Sequence, residues 1–104
     1  MSGIELIAAE RQRQLNEEGW TPEHDDEHNG AEMIDAAAEY ARYTAILVRD
    51  PSASELREWE TPSGDWPWHP DCWKPDADPI RNLVKAGALI AAEIDRLERK
   101  GGVS

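Results

Sequence analysis

Apolar residues recur at helical spacing in three separate stretches of the chain. Ile4, Ile7, Ala8 and Leu15 fall near one face of a helix over residues 3–18, with Glu10, Arg11, Arg13 and Gln14 mostly elsewhere. Ser2 and Glu5 have capping-box spacing at its start, and Gly19 is a natural stop. A second helix is expected over residues 30–48, with two apolar stripes. Ile34, Ala37, Ala38, Ala41, Ala45 and Val48 form one, and Met33, Ala36, Tyr40, Tyr43 and Leu47 the other. A helix apolar on two sides is expected to be packed on two sides. Asp50-Pro51 ends it, because the residue before proline resists the helical conformation. A third helix is expected over residues 79–100, capped by Asp78 with Pro79 in the first helical position. Its core stripe is read as Ile80, Leu83, Val84, Gly87, Ile90, Ala91, Ile94 and Leu97. Ala86, Gly87, Ala88, Ala91 and Ala92 let another helix come close, and the alanines of the second helix are the expected partner.

Residues 49–77 break the periodicity. Ser54–Glu60 reads as a short helix, and TPSGDWPWHPDCWKPDADP is too rich in proline to be regular. Trp59, Trp66, Trp68 and Trp73 argue against disorder, since an indole gains by leaving water. The expectation is one all-α domain, residues 1–104: three main helices with a long Trp/Pro-rich loop between the second and third, completed as a helical bundle by oligomerisation.

Charge narrows the partners. The net charge is −11, so a nucleic acid or membrane surface would be repelled. What remains is a basic protein surface, or an anionic ligand brought in through a cation. A lone cysteine, Cys72, suits a reducing compartment. No apolar run is long enough to span a bilayer and no signal peptide is read at the N-terminus, so a cytoplasmic location is expected.

The densest chemistry lies in Thr21–Tyr40, with seven acids, two histidines and no base. A short turn at Thr21–His28 is expected to lead into the second helix, with Asn29 and Glu32 at capping spacing. Glu32, Asp35 and Glu39 form a thin polar stripe with Arg42 between the two apolar ones. Several charged oxygens on one side of a helix are what a hard divalent cation requires, and Asp26 is a further candidate ligand. The competing reading is a solvated face with a Glu39–Arg42 pair. His24 and His28, one turn apart, have a transition-metal spacing that His69 or Cys72 would complete; a surface acidic turn is the alternative. Trp66 and Trp68 either stack a base or pin the loop. Arg81 and Lys85 either meet a phosphate or, for Lys85, neutralise Asp35 or Glu39 across the helix pair.

ERQRQ at 10–14, GWTPEHD at 19–25 and the apolar, acid-bearing helix after them resemble the small MazG-like proteins carried by phages and prophages. RNLVKAGALIAAEIDRL at 81–97, with WPW and WKP before it, resembles a recurrent small phage protein. The resemblance implies an all-α, oligomeric nucleoside triphosphate pyrophosphohydrolase that uses Mg²⁺ (or Mn²⁺) to release pyrophosphate in the bacterial cytosol. Glu32, Asp35, Glu39 and Asp26 would then hold the metal. Glu32 and Asp35, with Lys85, would serve catalysis, while Trp66, Trp68, Arg81 and Lys85 would hold the nucleotide. The family's first acid motif corresponds to Ala31-Glu32-Met33-Ile34-Asp35, so its leading acid is alanine here. Its second corresponds to Asn82 and Lys85, so a cation replaces an acid. Three functions therefore stand side by side. They are a pyrophosphohydrolase, a nucleotide-binding relative without catalysis, and an acidic phage accessory protein occupying the basic groove of a host nuclease or defence protein, as a DNA mimic would.

Overall fold

A computed structural model describes residues 1–17, 31–55 and 65–100. Within them the chain is all-α. Helix α1 spans Gly3–Glu17, α2 spans Glu32–Arg49 and α3 spans Pro79–Arg99. Short 3-10 turns occupy Pro51–Glu55 and Pro70–Cys72. The expected second-helix entry at Thr21–His28, the stop at Gly19 and the far end of Ser54–Glu60 lie outside the described residues.

The helix ends follow local chemistry. Ser2 N–H donates to Glu5 Oε1 at 3.0 Å and Glu5 N–H donates to Ser2 Oγ at 3.2 Å, a reciprocal capping box. Asp78 Oδ1 accepts from Ile80 N at 3.0 Å, with proline next to it in the first turn. α2 stops at Asp50, whose carboxylate accepts from the Ser52 amide and hydroxyl just past Pro51.

α3 is the shared partner: α2 packs along it most extensively and α1 packs along it separately. The core consists of Met33, Ala36, Ala37, Tyr40, Tyr43 and Leu47 of α2, Trp66 and Trp73 of the connection, and Ala86, Leu89 and Ala92 of α3. Small residues on α3 face large aromatics on α2 and the connection, so the volumes are complementary.

Two expected faces are corrected. On α3, Val84 of the expected stripe is buried, but Ile80, Leu83, Ile90 and Ile94 are about half exposed or more, while Asn82, Ala86, Ala88, Leu89, Ala92, Glu93 and Arg96 are buried. Hydrophobic periodicity selects the greasiest face. The face buried here is the flatter one, against which Tyr40, Trp66 and Trp73 fit. On α2, the Met33–Leu47 stripe goes in. Of the other stripe only Ala37 is buried; Ile34, Ala38, Ala41, Ala45 and Val48 are exposed. Within the protomer α2 is thus packed on one side. No helix among the described residues is long and apolar enough to cross a membrane.

α1 approaches α3 at Gly87, where a Cβ would fall 2.5 Å from Ile7 Cδ1 and 2.8 Å from Ile7 Cγ1. Glycine there sets the distance between the helices. Gly87→Val is expected to destabilise the fold by about 2 kcal/mol or more in urea denaturation, because the added carbons overlap Ile7. A variant as stable as the parent would show that α1 does not seat against this point.

Candidate nucleotide site

The first turn of α2 carries Glu32 and Asp35, three residues apart on one side of the helix. Asp35 is exposed and Glu32 half-buried. Carboxylates at a helix N-terminus are favoured by the helix dipole. Their oxygens are hard donors suited to Mg²⁺ or Mn²⁺. Asp26, His24 and His28 lie outside the described residues.

Glu39 does not join this pair. Its side chain is buried, the residue being 6% exposed, and Arg42 Nη2 donates to its Oε2 at 3.2 Å. The i,i+3 pairing weighed in the sequence is the one formed, so Glu39 is corrected from metal ligand to buried ion-pair partner. Among the described residues, no three His, Cys, Asp or Glu side chains gather closely enough to hold a metal ion. His69 and Cys72 are exposed, and His69 Nδ1 accepts from the Asp71 amide at 3.1 Å. That interaction caps a short turn.

Arg81 and Lys85 are also committed elsewhere. Arg81 Nη2 lies 3.0 Å from Glu10 Oε1, tying α3 to α1. Glu10 also accepts from Arg13 Nε and Nη2 at 2.9 and 2.8 Å and from Gln14 Nε2 at 3.3 Å. A cleft of about 270 Å³ opens beside this cluster, lined by Leu6, Arg13, Asp78, Ile80 and Arg81 among others. Lys85 Nζ donates to the Lys74 carbonyl at 2.7 Å and stands 5.6 Å from the centre of the Tyr40 ring. Its ammonium is thus directed at the connection, while Glu39 pairs with Arg42. Burial, reinforced by Arg81, lowers the pKa of the Lys85 ammonium.

The tryptophans pin the connection. Trp73 lies 4.8 Å from Tyr40 and 5.0 Å from Trp66, centroid to centroid, and Trp66 meets Trp68 edge-on at 5.5 Å. Trp66 Nε1 donates to the His69 carbonyl at 3.1 Å. Trp66 is therefore buried in core contacts and is corrected as a base-stacking surface; Trp68 keeps part of its face in solvent.

Sequence reasoning missed three buried polar devices. Asn82 is fully buried, with Oδ1 accepting from Asp76 N and Nδ2 donating to Asp76 O, both at 2.7 Å. Glu93 and Arg96 form a buried pair one turn apart on α3. Glu10 gathers the donors described above. The signal available was polar residues at positions beside an apolar stripe, which also describes any solvated face.

Glu10 gives a pH prediction. Burial pushes its carboxyl up, but the hydrogen bonds and charges of Arg13 and Arg81 outweigh burial and leave its pKa below the usual carboxylate value. A depressed carboxyl pKa stabilises the fold above its unfolded value, about 4.3, and that contribution is lost as pH falls through the folded value. Glu10→Gln is therefore expected to be less stable than the parent near pH 7, by about 1–3 kcal/mol, with the gap closing below about pH 4 in urea titrations. A gap independent of pH would contradict the assignment. No protein-family model, no curated protein and no solved structure matches this chain.

Proposed function

We propose that the chain is a nucleotide-binding protein of MazG-like type that captures its ligand through a divalent cation and does not hydrolyse it. Glu32 and Asp35 would hold Mg²⁺ or Mn²⁺ together with acids of the 23–27 run, such as Asp26. The cation would supply the positive charge that lets so acidic a protein accept phosphates. The observation that carries this reading is the state of the acid line on α2. Glu39 is neutralised by Arg42, while Asp35 stands exposed in the first turn with no cation bonded to it among the described residues.

Binding without turnover is the reading that the residues at the second acid motif support. The second acid motif of the family resemblance corresponds here to Asn82 and Lys85. Asn82 is engaged with Asp76, and Lys85 with the Lys74 carbonyl and Tyr40. Neither offers a carboxylate to a metal. Trp68, partly exposed at the edge of the aromatic cluster, is the indole best placed for contact with a base. A phage or prophage protein of this kind would act in the bacterial cytosol on the nucleotide pool.

A second reading rests on a separate observation. The net charge is −11, and Arg13, Arg42, Arg81 and Arg96 all pair with carboxylates of this chain. An exterior so acidic also suits the basic groove of a host nuclease or defence protein.

One panel separates these functions. Nucleoside triphosphates with Mg²⁺ are expected to raise the melting temperature by several degrees, as about 100-fold saturation over Kd would. The shift is expected to require the cation and to vanish in Glu32→Gln, with no pyrophosphate released. Pyrophosphate release would make the protein a hydrolase. No response to any nucleotide, with salt-sensitive binding to a basic protein partner, would select the second reading.

A further inference from the structure

α1 is attached to the protein differently from α2 and α3. The apolar core is built from α2, α3 and the indoles Trp66 and Trp73, and no residue of α1 belongs to it. Among the described elements α1 packs only against α3. The residues that α1 buries are polar, Glu10 and Gln14. Its apolar side chains go in less far: Ile4 is 83% exposed, and Leu6, Ile7 and Leu15 are half-buried. Little apolar area is therefore returned to water when α1 leaves.

The contact that holds α1 has the character of a latch. Ile7 faces Gly87, and Glu10 Oε1 accepts from Arg81 Nη2 at 3.0 Å. Arg13 and Gln14 also hold the Glu10 carboxylate, but both ride on α1 and would leave with it. The Glu10–Arg81 bond is thus the ionic tie between the two helices. Gln14 works against docking. Its Oε1 is buried with no hydrogen-bond partner among the described residues, and undocking gives that oxygen to water. A helix of 15 residues is marginal alone in water, so an undocked α1 loses its helical hydrogen bonds as well.

We propose that α1 is a releasable arm, which undocks from α3 and unfolds as a unit while α2, residues 65–78 and α3 stay folded, with Glu10–Arg81 as its latch. Docked, α1 lies over Val84 and Gly87. These sit among Ile80, Leu83 and Ile90, which are already about half exposed or more. Release joins them into one apolar face, so α1 controls how much apolar surface α3 presents. The device does not depend on the nucleotide reading.

Native-state hydrogen exchange of the full chain in low urea tests the arm. The amides of Glu10–Gln14 are expected to be at least about 100-fold less protected than the slowest amides of α2 and α3. They are also expected to respond less steeply to urea, because undocking exposes less surface than global unfolding. Two variants separate the units. Ala92→Gly, in the core between α2 and α3, is expected to speed the slowest amides of those helices about 5-fold or more. It should leave α1 unchanged, because the docked and undocked states share the α2–α3 unit. Glu10→Gln is expected to speed the α1 amides about 10-fold or more, with α2 and α3 still the better protected. Protection of α1 equal to that of α2 and α3, Ala92→Gly speeding all three helices in step, or Glu10→Gln leaving α1 unchanged would each overturn the proposal.

Discussion

Residues 65–78, the stretch that leads into α3, are held as firmly as a fourth element, and the rest of the described core depends on that. Residues 65–78 contain no long helix, yet their backbone is bonded at successive points. The Lys74 amide donates to the Tyr40 hydroxyl at 3.2 Å and the Lys74 carbonyl accepts from Lys85. Asp76 is gripped at both its amide and its carbonyl by the Asn82 side chain. Trp66 and Trp73 fill the space between these anchors and α2. A buried backbone group without a partner costs as much as a lost hydrogen bond, so an irregular segment enters a core only when side chains serve it in this way. Asn82, Tyr40 and Lys85 do that work from the two helices on either side.

This arrangement determines where chemistry can occur. Side chains that hold the connection cannot also hold a ligand without releasing it. Lys85, Trp66 and Asn82 bond to the connection, and Arg81 belongs to the Glu10 cluster that fastens α1. The ERQRQ and RNLVKAGALIAAEIDRL stretches supply Glu10, Arg13, Gln14, Arg81, Asn82, Lys85, Gly87, Glu93 and Arg96. The structure gives each a part in packing or pairing. At the head of α2, Asp35 keeps a carboxylate in solvent.

Helix ends were legible in the sequence because they rest on local rules. Ser2 with Glu5, Asp78 with Pro79, and Asp50 before Pro51 each act within four residues, and each ends or begins a helix as read. Burial was less legible because it is decided between elements. Ile80, Leu83, Ile90 and Ile94 form the most apolar stripe of α3, but the aromatics of the connection need a face of small residues, and the alanines go inward. Asn82 read as a missing acid, when its amide accepts from the N–H and donates to the carbonyl of one residue, Asp76, which a carboxylate could not do. Glu39 read as a ligand because spacing alone does not show that Arg42, one turn on, reaches it first.

The central claim is that residues 65–78 belong to the cooperative core. Native-state hydrogen exchange at the amides of Lys74 and Asp76 tests it most directly, because those two protons are held by Tyr40 and Asn82. The account predicts exchange slowed by a factor of about 1,000 or more relative to an unstructured peptide, comparable to the amides of α2 and α3. Exchange at these two amides near the unstructured rate, with α2 and α3 still protected, would contradict it.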